Sequence, residues 1–136
     1  MRKTLIKKAI ALNSFLTKSS YKNYVKGIDA AASEMDAGPE VFAPIYRYLR
    51  KKGVTHFTFH AGEDFRHMAS GLRTIYEAVD FLELERGDRL GHCTALGISP
   101  SLWMERCGDI FYIPRGEWLD DLVFVWHLIR SSQNEK

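Results

Sequence analysis

The chain has 136 residues and a formal net charge of +2, which is the length of one domain and too little charge to indicate a nucleic-acid partner. Hydrophobic residues make up 46% and charged residues 26% of it, values that are typical of a soluble globular chain and exclude a disordered one. No uncharged apolar run approaches the roughly 18–20 residues that cross a bilayer, so we expect no membrane partner.

Three features bear on where the chain resides. Cys93 and Cys107 are too few for a disulfide framework and are spaced unlike a zinc knuckle, which favours a reducing cytoplasm. Lys7 and Lys8 interrupt the early apolar stretch, so no secretory signal is predicted. Residues 1–26 carry basic side chains and no acid, a pattern typical of a solvated helix face, a transit peptide or a phosphate-facing patch.

The hydrophobic pattern predicts helices alternating with strands. Apolar residues recur every three to four positions near the start of the chain, whereas the segment before His60 is β-branched and aromatic. The last helix is apolar nearly all round and is therefore expected to be buried. In chain order the predicted elements are a helix over 3–17, a strand over Val25–Ala32, a helix from Gly38–Pro39 to Lys51–Lys52, a strand over Val54–His60, a helix over Arg66–Glu83, a strand over Asp88–His92, a helix from Ser99–Pro100 to Cys107, a candidate strand over Asp109–Ile113 and a helix over Glu117–Arg130.

This alternation predicts an α/β fold with a parallel sheet. In such folds the chemistry lies where strands end and lead into helices. Three segments occupy such positions, namely Gly27–Glu34, His60–Glu63 and Arg89–His92.

The segment His60-Ala61-Gly62-Glu63 places an imidazole and a carboxylate at one strand end. The glycine permits a close backbone approach and unusual dihedral angles. The arrangement is compatible with a metal ligand beside a titratable acid, and also with a strand-end histidine followed by a helix-start acid. His56 lies four residues earlier, about 13 Å away along a strand, so it cannot share a metal with His60.

A second strand is predicted to end on a histidine, in Arg89-Leu90-Gly91-His92. Since neighbouring strands lie about 4.8 Å apart, His60 and His92 are expected to face the same mouth of the sheet. Small residues in Gly27–Glu34 leave room for a flat ligand, or alternatively permit tight packing of a helix on the sheet.

Together the three segments resemble the adenosine deaminase family. Its members carry a Gly-Ile-Asp-Leu-Ala-Gly-Asp-Glu-like strand end, then His-Ala-Gly-Glu, then Arg-Ile-Gly-His-Gly, and Gly27–Glu34, His60–Glu63 and Arg89–His92 follow in the same order. The resemblance extends over about Val25 to Ile98.

The resemblance implies a fold, a metal and a reaction, which is the hydrolytic deamination of an adenine nucleoside or nucleotide by zinc-activated water. The fold would be a (β/α)8 TIM-type barrel, here about half of one, with the purine nucleoside or nucleotide substrate bound at its mouth. His60 would be a ligand of Zn²⁺, a metal that lowers the pKa of bound water to roughly 7. Glu63 would protonate the purine ring next to the attacked carbon, and His92 would orient the zinc-bound water. The backbone N–H of Ala32 would hold a ring nitrogen.

The chain departs from the family pattern in its zinc ligands. It contains no His-x-His, and Asp120–Asp121 falls inside a helical pattern, where it is interpreted as a helix-start charge pair. A full barrel takes about 250 residues, so we expect a single partial domain over residues 1–136, completed by a missing barrel half or by a homo-oligomer. The segment Gly91–Gly97 departs from the usual Gly-His-Gly of the family and resembles more the large deaminase-like proteins of bacterial antiphage systems.

Two other functions stay open at this point. The chain could be a non-catalytic deaminase-like relic or assembly module that retains the fold without turnover. It could also be a small α/β protein that binds phosphate or a nucleotide at helix N-termini, although it has no Gly-x-Gly-x-x-Gly motif.

Overall fold

A computed structural model describes residues 2–18, 20–31, 33–108 and 110–134. Helices and strands alternate along them, which confirms the predicted α/β class. Their bounds are α1 Arg2–Lys18, β1 Ile28–Ala30, α2 Pro39–Lys51, β2 Phe57–Ala61, α3 Met68–Phe81, β3 Arg89–His92, α4 Thr94–Gly97, α5 Pro100–Cys107 and α6 Arg115–Asn134, with a short 3₁₀ turn over Ser20–Asn23.

The three strands form one parallel sheet in the order β1-β2-β3. Ile28 pairs with Phe57 at the start of β1, and Ala61 pairs with His92 at the end of β3. The strand ends are thus aligned, so the segments that follow β2 and β3 leave the sheet side by side.

The core lies on one face of the sheet. Along β2, Phe57, Phe59 and Ala61 are buried, while Thr58 and His60 are only half-buried on the opposite face. Tyr46 of α2 packs its ring on those of Phe57 and Phe59, with centroids 4.9 and 6.3 Å apart. The core therefore holds the sheet from one side and leaves His60 on the open side.

The spacing of Leu72, Tyr76 and Val79 predicts that these residues share one face of α3. Leu72 does pack against the core, but Tyr76 and Val79 are exposed, and Ile75 and Ala78 are buried instead. The helix begins one residue after His67, whose Nδ1 accepts a hydrogen bond from the N–H of Ala69 at 3.1 Å. This cap explains why the helix starts later than the predicted Arg66.

Helix α6 exists as predicted, but the expectation that it is buried is wrong. Its buried residues are Asp121 and Phe124, and the ring of Phe124 lies 5.5 Å from that of Tyr76 on α3. The remaining apolar side chains of this helix are exposed because α3 covers only one of its faces; they are Trp118, Leu119, Leu122, Val123, Val125, Trp126, Leu128 and Ile129.

The charge pair Asp120–Asp121 is also different from the prediction. Asp121 does not sit at the helix start as a solvated charge; it is 1% exposed and accepts hydrogen bonds from Ser70 Oγ at 2.6 Å and Arg73 Nε at 2.8 Å. The candidate strand over 109–113 is wrong for residues 110–113, which form no regular structure, and Asp109 lies outside the described residues.

Both cysteines are free thiols. Among the helices in the described part of the chain, we find none with the length and apolar character needed to cross a membrane.

Candidate functional site

The predicted acid and imidazoles converge at the carboxyl edge of the sheet. His92 Nε2 lies 3.1 Å from Glu63 Oε2. The rings of His60 and His92 have centroids 5.1 Å apart. This convergence confirms the spatial expectation, and it follows from the pairing of Ala61 with His92, which aligns the two strand ends.

Asp29 of β1 completes the group from the neighbouring strand. Its Oδ1 lies 3.4 Å from His60 Nδ1. Sequence reasoning assigned Asp29 no role, although its position within a strand of small and apolar residues is a signal that could have found it. A carboxylate beside one ring nitrogen orients an imidazole and directs the other nitrogen outward.

The glycine before His92 is required by the ring of His60. A Cβ added at Gly91 would collide with that imidazole. The Gly-His pair therefore does two things: it presents one imidazole and makes room for the other.

The turn after β2 is held by hydrogen bonds from two sides. Gly62 is buried with φ of +75°, and a Cβ there would collide with Ile75, so only glycine fits. Its carbonyl accepts from the N–H of Ala95, and the carbonyl of Ala61 accepts from that of Cys93, both at 2.9 Å. The loops that carry Glu63 and His92 are thus joined through the backbone.

Glu34 binds the same turn from the segment between β1 and α2. Its carboxylate accepts hydrogen bonds from the N–H groups of Gly62, at 2.7 Å, and Glu63, at 3.1 and 3.3 Å. Sequence reasoning placed Glu34 in one of the three motif segments but gave it no function.

The end of β3 is strained. His92 and Cys93 have φ of 61° and 52°, in the left-handed region that non-glycine residues seldom adopt. Cys93 occupies the place where the family pattern has glycine. Burial, and then the charge of Glu34, raise the pKa of the Cys93 thiol, so the thiol stays protonated at neutral pH.

Replacing Cys93 with glycine should raise the free energy of unfolding by about 1 kcal/mol, because glycine adopts this left-handed conformation without the steric cost. Urea unfolding measures the difference. Cys107→Gly is the matched control: Cys107 ends α5 outside the left-handed region, so its replacement should destabilise instead. Equal losses of stability in both variants would contradict a strained β3 end.

The site is an open edge, not a closed pocket. The side chains of His60, His92 and Glu63 are 28%, 41% and 51% exposed. A cavity of about 590 Å³ borders the same loops, lined among others by Glu34 and Asp64, but the two histidines and Glu63 are not part of its wall. Ala32, predicted to bind substrate through its backbone, lies outside the described residues.

The side chains at this edge do not supply enough ligands to hold a zinc ion by themselves. A catalytic zinc takes three protein ligands. Within residues 2–18, 20–31, 33–108 and 110–134, no three His, Cys, Asp or Glu side chains are grouped so that they could hold a metal. His60 is the one residue of this chain that the resemblance assigns to the metal, and its Nδ1 faces Asp29.

Comparison with known proteins assigns no class: no family model matches the chain, and neither does any curated protein. Any function must therefore be argued from the side chains at this edge.

Proposed function

We propose that this chain carries the acid and imidazole part of an adenosine-deaminase-type hydrolase site, which acts on an adenine nucleoside or nucleotide. The observation that carries the proposal is the contact of 3.1 Å between Glu63 and His92, beside the ring of His60, on the ends of adjacent parallel strands. At 3.1 Å the acid and the imidazole lie within the hydrogen-bond distance over which such side chains transfer protons.

The reaction is hydrolytic: water adds to the ring carbon that bears the amino group, and ammonia leaves. Protonation of the neighbouring ring nitrogen makes that carbon more electrophilic, and Glu63 is the residue that donates this proton. His92 accepts the proton that the attacking water loses and passes a proton to the departing amino group, which leaves as ammonia; in the absence of substrate its Nε2 lies beside Glu63. Both side chains are exposed enough for a flat base to approach them.

The proposal includes a larger fold around these strands. The sheet belongs to a (β/α)8 barrel, and β1 and β3, its two edges here, pair with further strands. In such a completed site His60 would be one ligand of Zn²⁺, which would activate the attacking water, and the other ligands would have to come from another polypeptide segment. The free thiols of Cys93 and Cys107 suit a reducing cytoplasm.

The test compares Glu63→Gln with the wild-type protein, purified from its native host together with the chains that accompany it. Release of ammonia from adenosine and from adenosine monophosphate is measured. We expect Glu63→Gln to lower kcat/KM by about 10²–10⁴-fold, the usual contribution of a general acid. Because the side chain is exposed, the melting temperature should not change.

Asp64→Asn is the matched control, since Asp64 is the adjacent exposed acid in the same turn. It should retain wild-type turnover. A wild-type preparation that releases no ammonia from any adenine nucleoside or nucleotide would contradict the proposal, as would Glu63→Gln with undiminished activity.

A second function is favoured by the exposed apolar face of α6. A contiguous apolar patch of this kind marks a surface that contacts another protein. In this alternative the chain is a deaminase-like assembly module without turnover. It predicts that Glu63→Gln changes neither ammonia release nor assembly, so the same variant distinguishes the two functions.

A further inference from the structure

The Glu34 carboxylate lies where the segments after the first two strands meet. Its Oε2 accepts a hydrogen bond from the N–H of Gly62 at 2.7 Å, and both of its oxygens lie within 3.3 Å of the N–H of Glu63. The contact joins residues that are far apart in the sequence. Glu34 lies in the segment between β1 and α2, and Gly62 and Glu63 follow the end of β2.

The two N–H groups form a binding site for an anion. They are consecutive, and the positive φ of Gly62 turns them toward the same side, as in the backbone concavities that bind carboxylates and phosphates. Gly62 is buried, so its N–H needs an acceptor within the protein. Hydrogen bonds to a carboxylate are roughly twice as strong as those between neutral groups.

The backbone that Glu34 holds is the backbone from which Glu63 extends. The N–H of Glu63 faces Glu34, while the side chain of the same residue reaches His92 Nε2 at 3.1 Å. Rotation of the peptide group between Gly62 and Glu63 would therefore move the N–H of Glu63 and its side chain together.

Glu34 contributes little to the core. It is half-buried, and it is not a member of the apolar cluster that packs on the sheet. Its removal should therefore disturb the turn after β2 much more than the fold as a whole.

We propose that Glu34 is a positioning residue for Glu63: it binds the two N–H groups of the turn and so aims the Glu63 carboxylate at His92. The reaction served by this acid rests on the proposed function, whereas the positioning itself can be measured without any substrate.

The test uses NMR spectroscopy of the chain and Glu34→Gln. Glutamine keeps one acceptor oxygen but loses the negative charge, and its NH₂ group is a donor in the place of the second oxygen that accepts from the N–H of Glu63. We expect hydrogen exchange at the amides of Gly62 and Glu63 to accelerate about tenfold or more, and exchange at core amides such as that of Phe59 to stay unchanged. Asp36→Asn, in the same connection, is the matched control and should leave both turn amides protected.

A double-mutant comparison separates positioning from a merely structural role. In the wild-type background, Glu63→Gln should shift the ring resonances of His92, because the two side chains are in contact. In the Glu34→Gln background, the same change should produce little further shift, because the carboxylate no longer faces the ring. Protected turn amides, or an undiminished His92 response in that background, would overturn the proposal.

Turnover gives an independent reading. If the proposed function holds, Glu34→Gln lowers kcat and leaves KM nearly unchanged, since the acid is misaimed and the binding surface remains. Full turnover in Glu34→Gln, alongside its loss in Glu63→Gln, would overturn the positioning role. Absence of turnover in the wild-type protein would overturn the proposed function instead, and the NMR results would still decide the role of Glu34.

Discussion

Asp88→Ala should lower the free energy of unfolding by about 3–5 kcal/mol, because it removes one partner of a buried ion pair. The side chain of Asp88 is 2% exposed and lies 2.7 Å from Arg50 Nη2. It also accepts hydrogen bonds from the N–H groups of Phe57 at 2.8 Å and Glu85 at 2.9 Å. Asp88 thus joins α2, β2 and the turn before β3, and its loss leaves several donors without an acceptor.

Urea unfolding of the variant measures this effect. Asp80→Ala is the matched control: Asp80 is exposed on α3, and its replacement should change stability by no more than about 0.5 kcal/mol. Comparable losses in the two variants would show that the buried ion pair contributes nothing specific.

The same residue gives stability a dependence on pH. Burial tends to raise the pKa of Asp88, but the hydrogen bonds from Glu85, Arg50 and Phe57 and the charge of Arg50 outweigh it, so the pKa falls below its ordinary value of 3.8. A carboxyl with a lowered folded-state pKa stabilises the fold above its unfolded pKa, and this contribution is lost as the pH falls through the folded value. Asp88→Asn should therefore lose less stability than the wild-type protein on acidification below about pH 4.

Asp121→Ala should weaken the docking of α6 on α3 at a cost of about 1–3 kcal/mol, since it leaves Ser70 Oγ and Arg73 Nε without their buried acceptor, while Arg73 keeps its ion pair with Glu77 at 3.0 Å. Asp121 is 1% exposed and binds both Ser70 and Arg73 of α3. Three other contacts hold α6: the ring of Phe124 packs on that of Tyr76, a hydrogen bond of 3.2 Å joins Tyr76 to His127, and Glu117 forms an ion pair with Arg66, just before α3, at 2.8 Å. Hydrogen exchange of the α6 amides checks the prediction, because undocking of one helix accelerates exchange there and spares the sheet.

Asp120→Ala provides the matched control, because Asp120 is the neighbouring acid on the same helix but is exposed. It should leave exchange in α6 unchanged. Protection of α6 in Asp121→Ala would mean that the remaining contacts suffice to dock the helix.

Three of the four residues expected at the site, His60, Glu63 and His92, could be found from the sequence because each is defined by a local pattern. A strand-forming run that ends on His60, and a second that ends on His92, imply adjacent ends once the sheet is parallel. Glu63 follows by its place in the same turn. Their convergence depends only on strand register, and register is regular in a parallel sheet.

Glu34 and Asp121 could not be assigned in this way, because their partners are distant in sequence. The carboxylate of Glu34 meets N–H groups of a different connection, and Asp121 meets side chains of α3. From sequence alone, an acidic residue in a loop or on a helix is expected to be exposed to solvent, because the packing that buries it is not known.

The alternation of helical and strand periods in the hydrophobic pattern was enough to predict an α/β class, a parallel sheet and the strand ends that carry His60 and His92. These features follow from backbone geometry and local residue preference. Which charges are buried and paired, and which face of α6 is covered, depended on how the helices pack. These contacts join residues that are distant in sequence, and the sequence around each residue does not indicate its partner. Only the tertiary structure therefore shows them.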